Sequence, residues 1–139
     1  MARHVVAPVS AVPPGGRLVT EAGGKQIVIF NLGGEFFGLL NRCPHQGGPL
    51  AAGITTGLVE ADPARPGCVR YSRAGEILRC PWHGWEFDIR TGLSRAEPAR
   101  IRTRSYPAGA VGAAELTAEE LAATTIPVSV EDSLIVVEV

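Results

Sequence analysis

Two short segments, each with a cysteine and a histidine close together, constrain this chain more than any other feature. Cys43-Pro44-His45 and Cys80-Pro81-Trp82-His83 each combine a thiolate donor with an imidazole donor. The chain has three cysteines and three histidines, so two of each kind lie in these segments. Soft sulfur and borderline nitrogen donors together form a metal-binding set. A fold for this sequence must therefore bring together two loops that are separated by 34 residues.

The two segments, read with their flanking residues, resemble the cluster loops of Rieske iron-sulfur proteins. The first is Cys43-Pro-His-Gln-Gly-Gly-Pro-Leu50, and the second is Cys80-Pro-Trp-His-Gly-Trp-Glu-Phe-Asp88. The second is similar to the loops of ring-hydroxylating oxygenases and their ferredoxins. The resemblance implies one [2Fe-2S] cluster per chain, with Cys43 and Cys80 on one iron and His45 and His83 on the other.

The resemblance also implies a fold and a division of the chain. The expected fold is all-β, an antiparallel β-sandwich of the iron-sulfur-protein (ISP) type with a small cluster-binding subdomain and at most one short helix. A length of 139 residues predicts a single domain, 1–139. Within it, the cluster-binding loops are expected at about 42–50 and 79–88.

The donor set agrees with cluster chemistry, although zinc offers an alternative. Sulfide-bridged ferric ions need anionic sulfur on one side, and neutral imidazole on the other raises the potential relative to four cysteines. A tetrahedral zinc site also takes two Cys and two His, but structural zinc sites typically space them as C-x(2–4)-C and H-x(3–5)-H. A zinc-binding structural or regulatory module is therefore a second hypothesis, which a colourless protein with one zinc per chain would establish.

Charge and hydropathy restrict the partners. Thirteen basic and fourteen acidic side chains give a net charge of −1, which does not favour nucleic acid or a charged membrane surface. No apolar run approaches the roughly 20 residues that span a bilayer, and the N-terminus lacks a signal-peptide pattern. Cys68 has no partner for a disulfide once the other cysteines bind metal, as is usual in a reducing compartment. We therefore expect a cytoplasmic protein with protein partners, no membrane and no nucleic acid.

Short strands dominate the secondary structure that the sequence predicts. Runs rich in β-branched and aromatic residues predict strands at 25–30, 35–40, 76–79, 85–90, 126–130 and 134–139. The first two lead to the first cysteine loop, the next two flank the second loop, and the last two predict a C-terminal hairpin. Only one helix is predicted, because Thr117 and Glu120 form a capping-box pattern for a helix that ends near Ala123.

The spacer between the two loops is longer than expected for compact members of the resembled family. The excess maps to about 55–75, where several Pro and Gly turns surround a possible extra strand at 68–71. A functional loop and a plain extra hairpin are both open interpretations of this insertion. The role of Cys68 within it is equally open, between a bystander thiol and a redox sensor.

The resemblance places the histidine edges on the exposed side of the protein. Pro49, Leu50, Trp82 and the 97–99 segment would then form an apolar rim for docking. Trp85 and Phe87 alternate with acidic residues, which favours a core position for both.

Five arginines form a second surface feature. Arg100, Arg102 and Arg104 share one face of a period-2 segment, with Arg90 and Arg95 nearby. This basic stripe has two interpretations: it meets an acidic partner, or it is a set of solvated side chains that protect an edge strand.

The count of histidines separates a carrier from an enzyme. A mononuclear catalytic iron needs two histidines and a carboxylate, but only His4 remains outside the predicted cluster. The chain is therefore predicted to lack a complete catalytic site. The predicted function is a Rieske-type ferredoxin or small electron-transfer component that passes single electrons from a reductase to a terminal oxygenase. A Rieske subunit of a multi-chain oxygenase, with the active site on another chain, is the alternative.

The reduction potential follows from the donors near sulfur. High-potential members of the resembled family carry an extra cysteine in each loop and hydroxyl side chains that donate to the cluster sulfurs. Here Trp82 stands at the position of one such cysteine, and Trp85 and Phe87 replace the hydroxyl donors. We predict a midpoint toward the lower end of the range of about −150 to +300 mV, because fewer donors stabilise the reduced cluster less. Voltammetry measures it, and a value above roughly +100 mV would contradict the reasoning.

Overall fold

A computed structural model describes residues 2–124 and 126–139, and in them the chain forms two compact units. One unit is Arg42–Thr103, which holds both predicted cluster loops, and the other joins the chain up to Asn41 with the chain from Arg104 onward. The strands are β1 (Arg3–Pro8), β2 (Arg17–Ala22), β3 (Lys25–Leu32), β4 (Glu35–Leu40), β5 (Ile54–Ala61), β6 (Val69–Arg79), β7 (Glu86–Asp88), β8 (Ser105–Gly112) and β9 (Ser133–Glu138). That the two units act as the single domain 1–139 stays a prediction.

The terminal parts of the chain build an antiparallel sheet in the order β1-β9-β8-β4-β3-β2. Strand β8 changes partner along its length, because Ser105–Pro107 pair with β4 whereas Ala108–Gly112 pair with β9. Both halves of the sheet contribute side chains to one core: Ala7, Val12, Ala22, Ile27, Ile29, Phe36, Tyr106, Ile135 and Val137. The sheet therefore folds over on itself, which confirms the predicted antiparallel β-sandwich.

The Arg42–Thr103 unit contains a smaller antiparallel sheet in the order β5-β6-β7. The predicted insertion at 55–75 is the β5/β6 hairpin, and the possible strand at 68–71 is the beginning of β6. Val59 pairs with Tyr71 and Ala61 with Val69, so the arm is a regular ladder there. The segment thus forms a hairpin, and whether that hairpin has a function of its own stays open.

An irregularity in β6 separates this arm from the part next to the cluster loops. Thr56 pairs with Ile77 but Leu58 pairs with Ser72, so β6 carries extra residues at this point. Arg73 lies there with a positive φ of 53° and contacts Glu76 (3.0 Å) and Asp88 (2.9 Å). These ion pairs tie the irregular part of β6 to the end of β7.

Two of the predicted strands differ from the structure. The segment 126–130 is not a strand, because β9 already pairs with β1 on one side and β8 on the other. The Ser129 N–H donates to the Asp132 side chain (2.8 Å) in a turn before β9. The strand predicted at 85–90 is only Glu86–Asp88, since the Asp88 carboxylate accepts from the Arg90 N–H (2.9 Å) and begins a turn.

The one α-helix of the described residues, α1 (Ala118–Ala123), begins and ends as predicted. The Thr117 hydroxyl accepts from the Glu120 N–H (3.1 Å), and the Glu120 carboxylate accepts from the Thr117 N–H (2.9 Å). Arg3 of β1 also pairs with Glu120, at 2.6 and 2.7 Å, and this hydrogen bonding lowers the pKa of Glu120 to about 2. Within residues 2–124 and 126–139, no helix combines the length and apolar composition needed to cross a bilayer.

A close backbone approach at Gly53 positions the strand that enters the second cluster loop. A Cβ on Gly53 would overlap the carbonyl oxygen of Arg79, the residue before Cys80. We predict that Gly53→Ala destabilises the protein by about 3 kcal/mol, which lowers its melting temperature by roughly 10 °C. Circular dichroism at a fixed scan rate measures this.

The matched control is Gly109→Ala in β8, where a Cβ would have no neighbour within 4 Å. This variant should melt within about 2 °C of the parent. Equal melting temperatures for the two variants would contradict the close approach at Gly53.

Candidate metal centre

The first ligand loop follows β4 and closes on its own cysteine. The Cys43 N–H donates to the Gly48 carbonyl (2.8 Å), and the Gly47 N–H donates to the Cys43 carbonyl (2.8 Å). Gly47 has a φ of +80°, which residues with a Cβ rarely adopt. These two bonds fold residues 43–48 into a tight loop.

The second loop joins β6 to β7 and closes in the same way. The Cys80 N–H donates to the Trp85 carbonyl (2.8 Å), and the Gly84 N–H donates to the Cys80 carbonyl (3.1 Å). Gly84 has a φ of +72°, at the position that matches Gly47. In both loops the cysteine therefore bonds through its carbonyl to the fourth following residue and through its N–H to the fifth.

The structure brings like donors of the two loops together, histidine with histidine and cysteine with cysteine. The ring centroids of His45 and His83 are 4.9 Å apart and the rings are nearly perpendicular, at 86°. The Cys80 thiol lies close enough to that of Cys43 to raise its pKa. A Cβ on Gly48 would lie only 3.1 Å from the Cys80 sulfur. The absence of a side chain at this position therefore lets the two loops approach closely.

The sulfur and nitrogen donors differ in exposure. Cys43 and Cys80 are 1% and 2% exposed, whereas His45 and His83 are exposed. In the part of the chain that the structure describes, no three His, Cys, Asp or Glu side chains are grouped as a single metal ion requires. A buried sulfur pair beside an exposed imidazole pair is the arrangement expected for two irons, one bound by sulfur and the other by nitrogen.

Burial raises the pKa of the Cys43 thiol, and the adjacent Cys80 thiol raises it further. The backbone N–H groups of His45 and Gln46 act in the opposite direction, because they donate to the sulfur and favour its negative form. The net effect is a raised pKa, so the metal-free thiol holds its proton at neutral pH. If Cys43 binds metal, it would release that proton, and the same two N–H groups would donate to the bound thiolate.

Trp85 does not lie in the core as predicted but stacks on a predicted ligand. Its ring centroid is 5.1 Å from that of His45, with 29° between the planes. Trp85 precedes β7, so the strand alternation that suggested a core position does not extend to it. Phe87 is fully buried as predicted. Only the position of Trp85 directly after the loop glycine could have indicated its contact with the ligand.

The predicted apolar rim is only partly correct. Pro49, Pro98 and Ala99 are exposed, and Trp82 is 55% exposed, with its indole packed over Gly48. Leu50 is fully buried, because it begins a 3-10 turn, Leu50–Ala52, whose first side chain faces inward. Leu50 therefore does not belong to the rim.

The predicted period-2 arginine stripe is wrong. The 100–104 segment contains no strand and only one isolated bridge, between Arg102 and Leu93. Arg100 pairs with Glu97 (3.4 Å) and Arg90 with Glu76 (2.9 Å). The prediction failed because alternation in a single short segment does not distinguish a strand from an irregular loop.

Cys68 and His4 both lie outside the two ligand loops. Cys68 is exposed at the end of the β5/β6 turn. His4 lies in β1, where it pairs with Val137.

Comparisons with known proteins agree with this geometry. The family model described as the Rieske [2Fe-2S] domain matches residues 2–107. The chain is 30% identical over 107 residues to the 3-phenylpropionate/cinnamic acid dioxygenase ferredoxin subunit of Escherichia coli (strain K12), which covers 77% of this chain and 84% of the relative. It is 28% identical over 99 residues to the biphenyl dioxygenase ferredoxin subunit of Pseudomonas sp. (strain KKS102), with 71% and 75% covered.

A solved structure shares the fold. The ferredoxin of carbazole 1,9a-dioxygenase from Nocardioides aromaticivorans IC177 aligns with a TM-score of 0.59 over 97% of each chain, at 19% identity. At that identity the likeness concerns the fold alone.

The stacked indole predicts how firmly the exposed His45 ring is held. We predict that Trp85→Ala speeds loss of the bound metal to a chelator by about 10-fold, because water then reaches the face of the ligand ring. The decay of the visible absorbance in excess chelator measures this rate. Trp85→Phe, which keeps a stacked ring, should stay within about twofold of the parent. Identical decay for all three proteins would contradict this role.

Proposed function

Because the chain belongs to the Rieske [2Fe-2S] domain family, whose cofactor is one [2Fe-2S] cluster, we propose that it is a ferredoxin-type electron carrier. It takes one electron at a time from a reductase and passes it to a terminal oxygenase. The observation that carries the proposal is the site itself: buried sulfur and exposed imidazole donors on two loops of identical closure. The family relationship rests on the match over residues 2–107.

We assign Cys43 and Cys80 to one iron and His45 and His83 to the other. When bound, the cluster supplies reversible one-electron chemistry. The cysteines anchor it inside the fold, and the His45 and Gln46 N–H groups donate to sulfur. The histidines place their rings at the surface, where a partner can come within electron-transfer distance. The chain itself therefore binds, orients and exposes the redox group.

The relatives support the two partners. They are ferredoxin subunits of dioxygenases for different aromatic compounds. A ferredoxin subunit needs an electron donor and an oxygenase acceptor, and we propose that the same pair serves this chain. We also propose that the protein works in the cytoplasm, where reduced nicotinamide cofactors supply reductases. Oxidation of the organic substrate belongs to the oxygenase in this scheme.

A permanent subunit of a multi-chain oxygenase is the second candidate. One observation favours it: the β5/β6 hairpin exposes Val59 (64%), Val69 (70%) and Tyr71 (58%). Their cross-strand pairing places them on one face of the hairpin, and an exposed apolar face of this kind is typical of a protein interface. Co-purification of an iron-containing partner with the tagged chain would favour this candidate, whereas a free chain that exchanges electrons would favour the carrier.

Electron paramagnetic resonance of the dithionite-reduced protein tests the ligand assignment. We expect nitrogen hyperfine coupling from two histidines, and we expect His45→Cys and His83→Cys each to remove one coupled nitrogen. His4→Gln is the control and should leave the spectrum unchanged, because His4 lies in the other unit. A colourless, spectroscopically silent protein with one zinc per chain would refute the proposal.

A further inference from the structure

Charge is distributed unevenly between the two units. Arg42–Thr103 contains nine arginines and six acidic side chains, a formal net charge of +3. The rest of the chain carries four basic and eight acidic side chains, a net charge of −4. The oxidised cluster adds no net charge to the first unit, because two ferric ions balance two sulfides and two thiolates. The unit that exchanges electrons is therefore positive, although the whole protein is negative.

Two of the nine arginines flank the exposed histidines. Arg42 begins the first ligand loop, and its guanidinium packs on Gly47, with Nε 3.4 Å and Nη2 3.5 Å from where a Cβ would lie. Arg95 lines a cleft of about 250 Å³ together with His83 and Trp85. Both arginines are exposed. Each predicted imidazole ligand therefore has a guanidinium in or beside its own loop.

The carboxylates of the same unit do not neutralise these two arginines. Five of the six acidic side chains pair with other arginines: Glu60 with Arg70, Glu76 with Arg73 and Arg90, Asp88 with Arg73, Glu86 with Arg79, and Glu97 with Arg100. The sixth, Asp62, accepts from the Ala64 N–H (2.9 Å). Glu86 also lines the cleft of Arg95 but is 3.5 Å from Arg79. Among the described residues, neither Arg42 nor Arg95 has a carboxylate partner.

We propose that the redox partner docks on the histidine-bearing loops through an acidic surface, whose carboxylates pair with Arg42 and Arg95. This inference rests on the proposed electron-carrier function and names the kind of protein that the carrier meets. Exposed guanidinium groups bind carboxylates in a bidentate geometry that also fixes orientation. Such pairs at the rim of an interface mainly steer the encounter and set its rate and specificity.

A protein fits these two arginines better than a polyanion. Nucleic-acid binding draws its affinity from many phosphate contacts, of which about 6 to 10 are common, and it weakens steeply with salt. Stable membrane attachment through charge likewise needs a cluster of about 4 to 8 basic residues. Two separated guanidiniums at the electron exit instead match a few placed carboxylates. An acidic protein surface is therefore the occupant that the structure supports.

Small oxidants of opposite charge test the electrostatic potential around the exposed histidines, and they do so without an identified protein partner. The reduced protein is mixed in a stopped-flow instrument with ferric-EDTA, an anion, or with tris(phenanthroline)cobalt(III), a cation. In each reaction the cluster loses one electron, which reduces Fe(III) or Co(III) to the divalent ion. We expect the ferric-EDTA rate to fall as ionic strength rises and the cobalt rate to increase, despite the negative net charge of the protein.

Paired substitutions locate the effect. At low ionic strength, the double variant Arg42→Gln with Arg95→Gln should be oxidised by ferric-EDTA about threefold or more slowly than the parent. The control, Lys25→Gln with Arg65→Gln, changes the net charge equally through exposed side chains outside the ligand loops, and it should stay within about 1.5-fold of the parent. Poly-L-glutamate serves as a probe for an acidic protein surface. It should slow the oxidation of the parent and of the control by ferric-EDTA, but not that of the arginine variant.

Each outcome has a separate meaning. Equal behaviour of the two paired variants, or no effect of poly-L-glutamate, would overturn the acidic-partner inference while leaving the electron carrier intact. Slowing by duplex DNA or phosphatidylglycerol vesicles at about 0.15 M salt, without slowing by poly-L-glutamate, would overturn it in favour of a polyanion. Failure of the parent to be reduced, or to react with either oxidant, would instead refute the proposed function. Visible absorbance confirms that every variant carries its cluster.

Discussion

The close contact between two loops of the same backbone design is the constraint on which this structure depends. Each loop is closed by the N–H and the carbonyl of its own cysteine, and each turns at a glycine with positive φ. Because this closure uses only the backbone, every side chain of the loop is left to serve the site. Gly48 then allows one loop to lie against the cysteine sulfur of the other. Without that contact the donors would form two unrelated pairs.

The exposure of the donors connects this packing to function. Sulfur lies inside, where backbone N–H groups can donate to it, and imidazole lies outside. A redox group held in this way is shielded on the side that anchors it and accessible on the side that exchanges electrons. Arg42 and Arg95, beside the histidines, give that accessible side a positive charge. In the proposed carrier, anchoring, redox control and partner selection would thus come from different residues of one small unit.

The capped helix could be predicted from the sequence because it depends on local chemistry, and the resemblance of the two cysteine loops implied the sandwich, whereas the donor set stays a prediction. Thr117 and Glu120 lie close enough in the chain for their reciprocal hydrogen bonds to be foreseen. The wrong predictions concern residues whose position depends on tertiary contacts, which a short sequence pattern does not contain. The 126–130 run has strand composition, but the neighbouring β9 had no free edge to offer it. Likewise, Leu50 was expected at the surface and is buried, whereas Trp85 was expected in the core and stacks on His45. Neither a turn nor a stacked ring leaves a periodic pattern in the sequence.

The two loops differ in one respect that their common closure makes visible. Histidine is the second residue after cysteine in the first loop and the third in the second loop. The indole of Trp85 covers a face of His45, whereas His83 opens onto a cleft. The two imidazoles therefore have different surroundings: an indole covers one face of His45, whereas the cleft beside His83 can admit a side chain of another protein. The partner that we propose would therefore meet two different imidazole environments side by side.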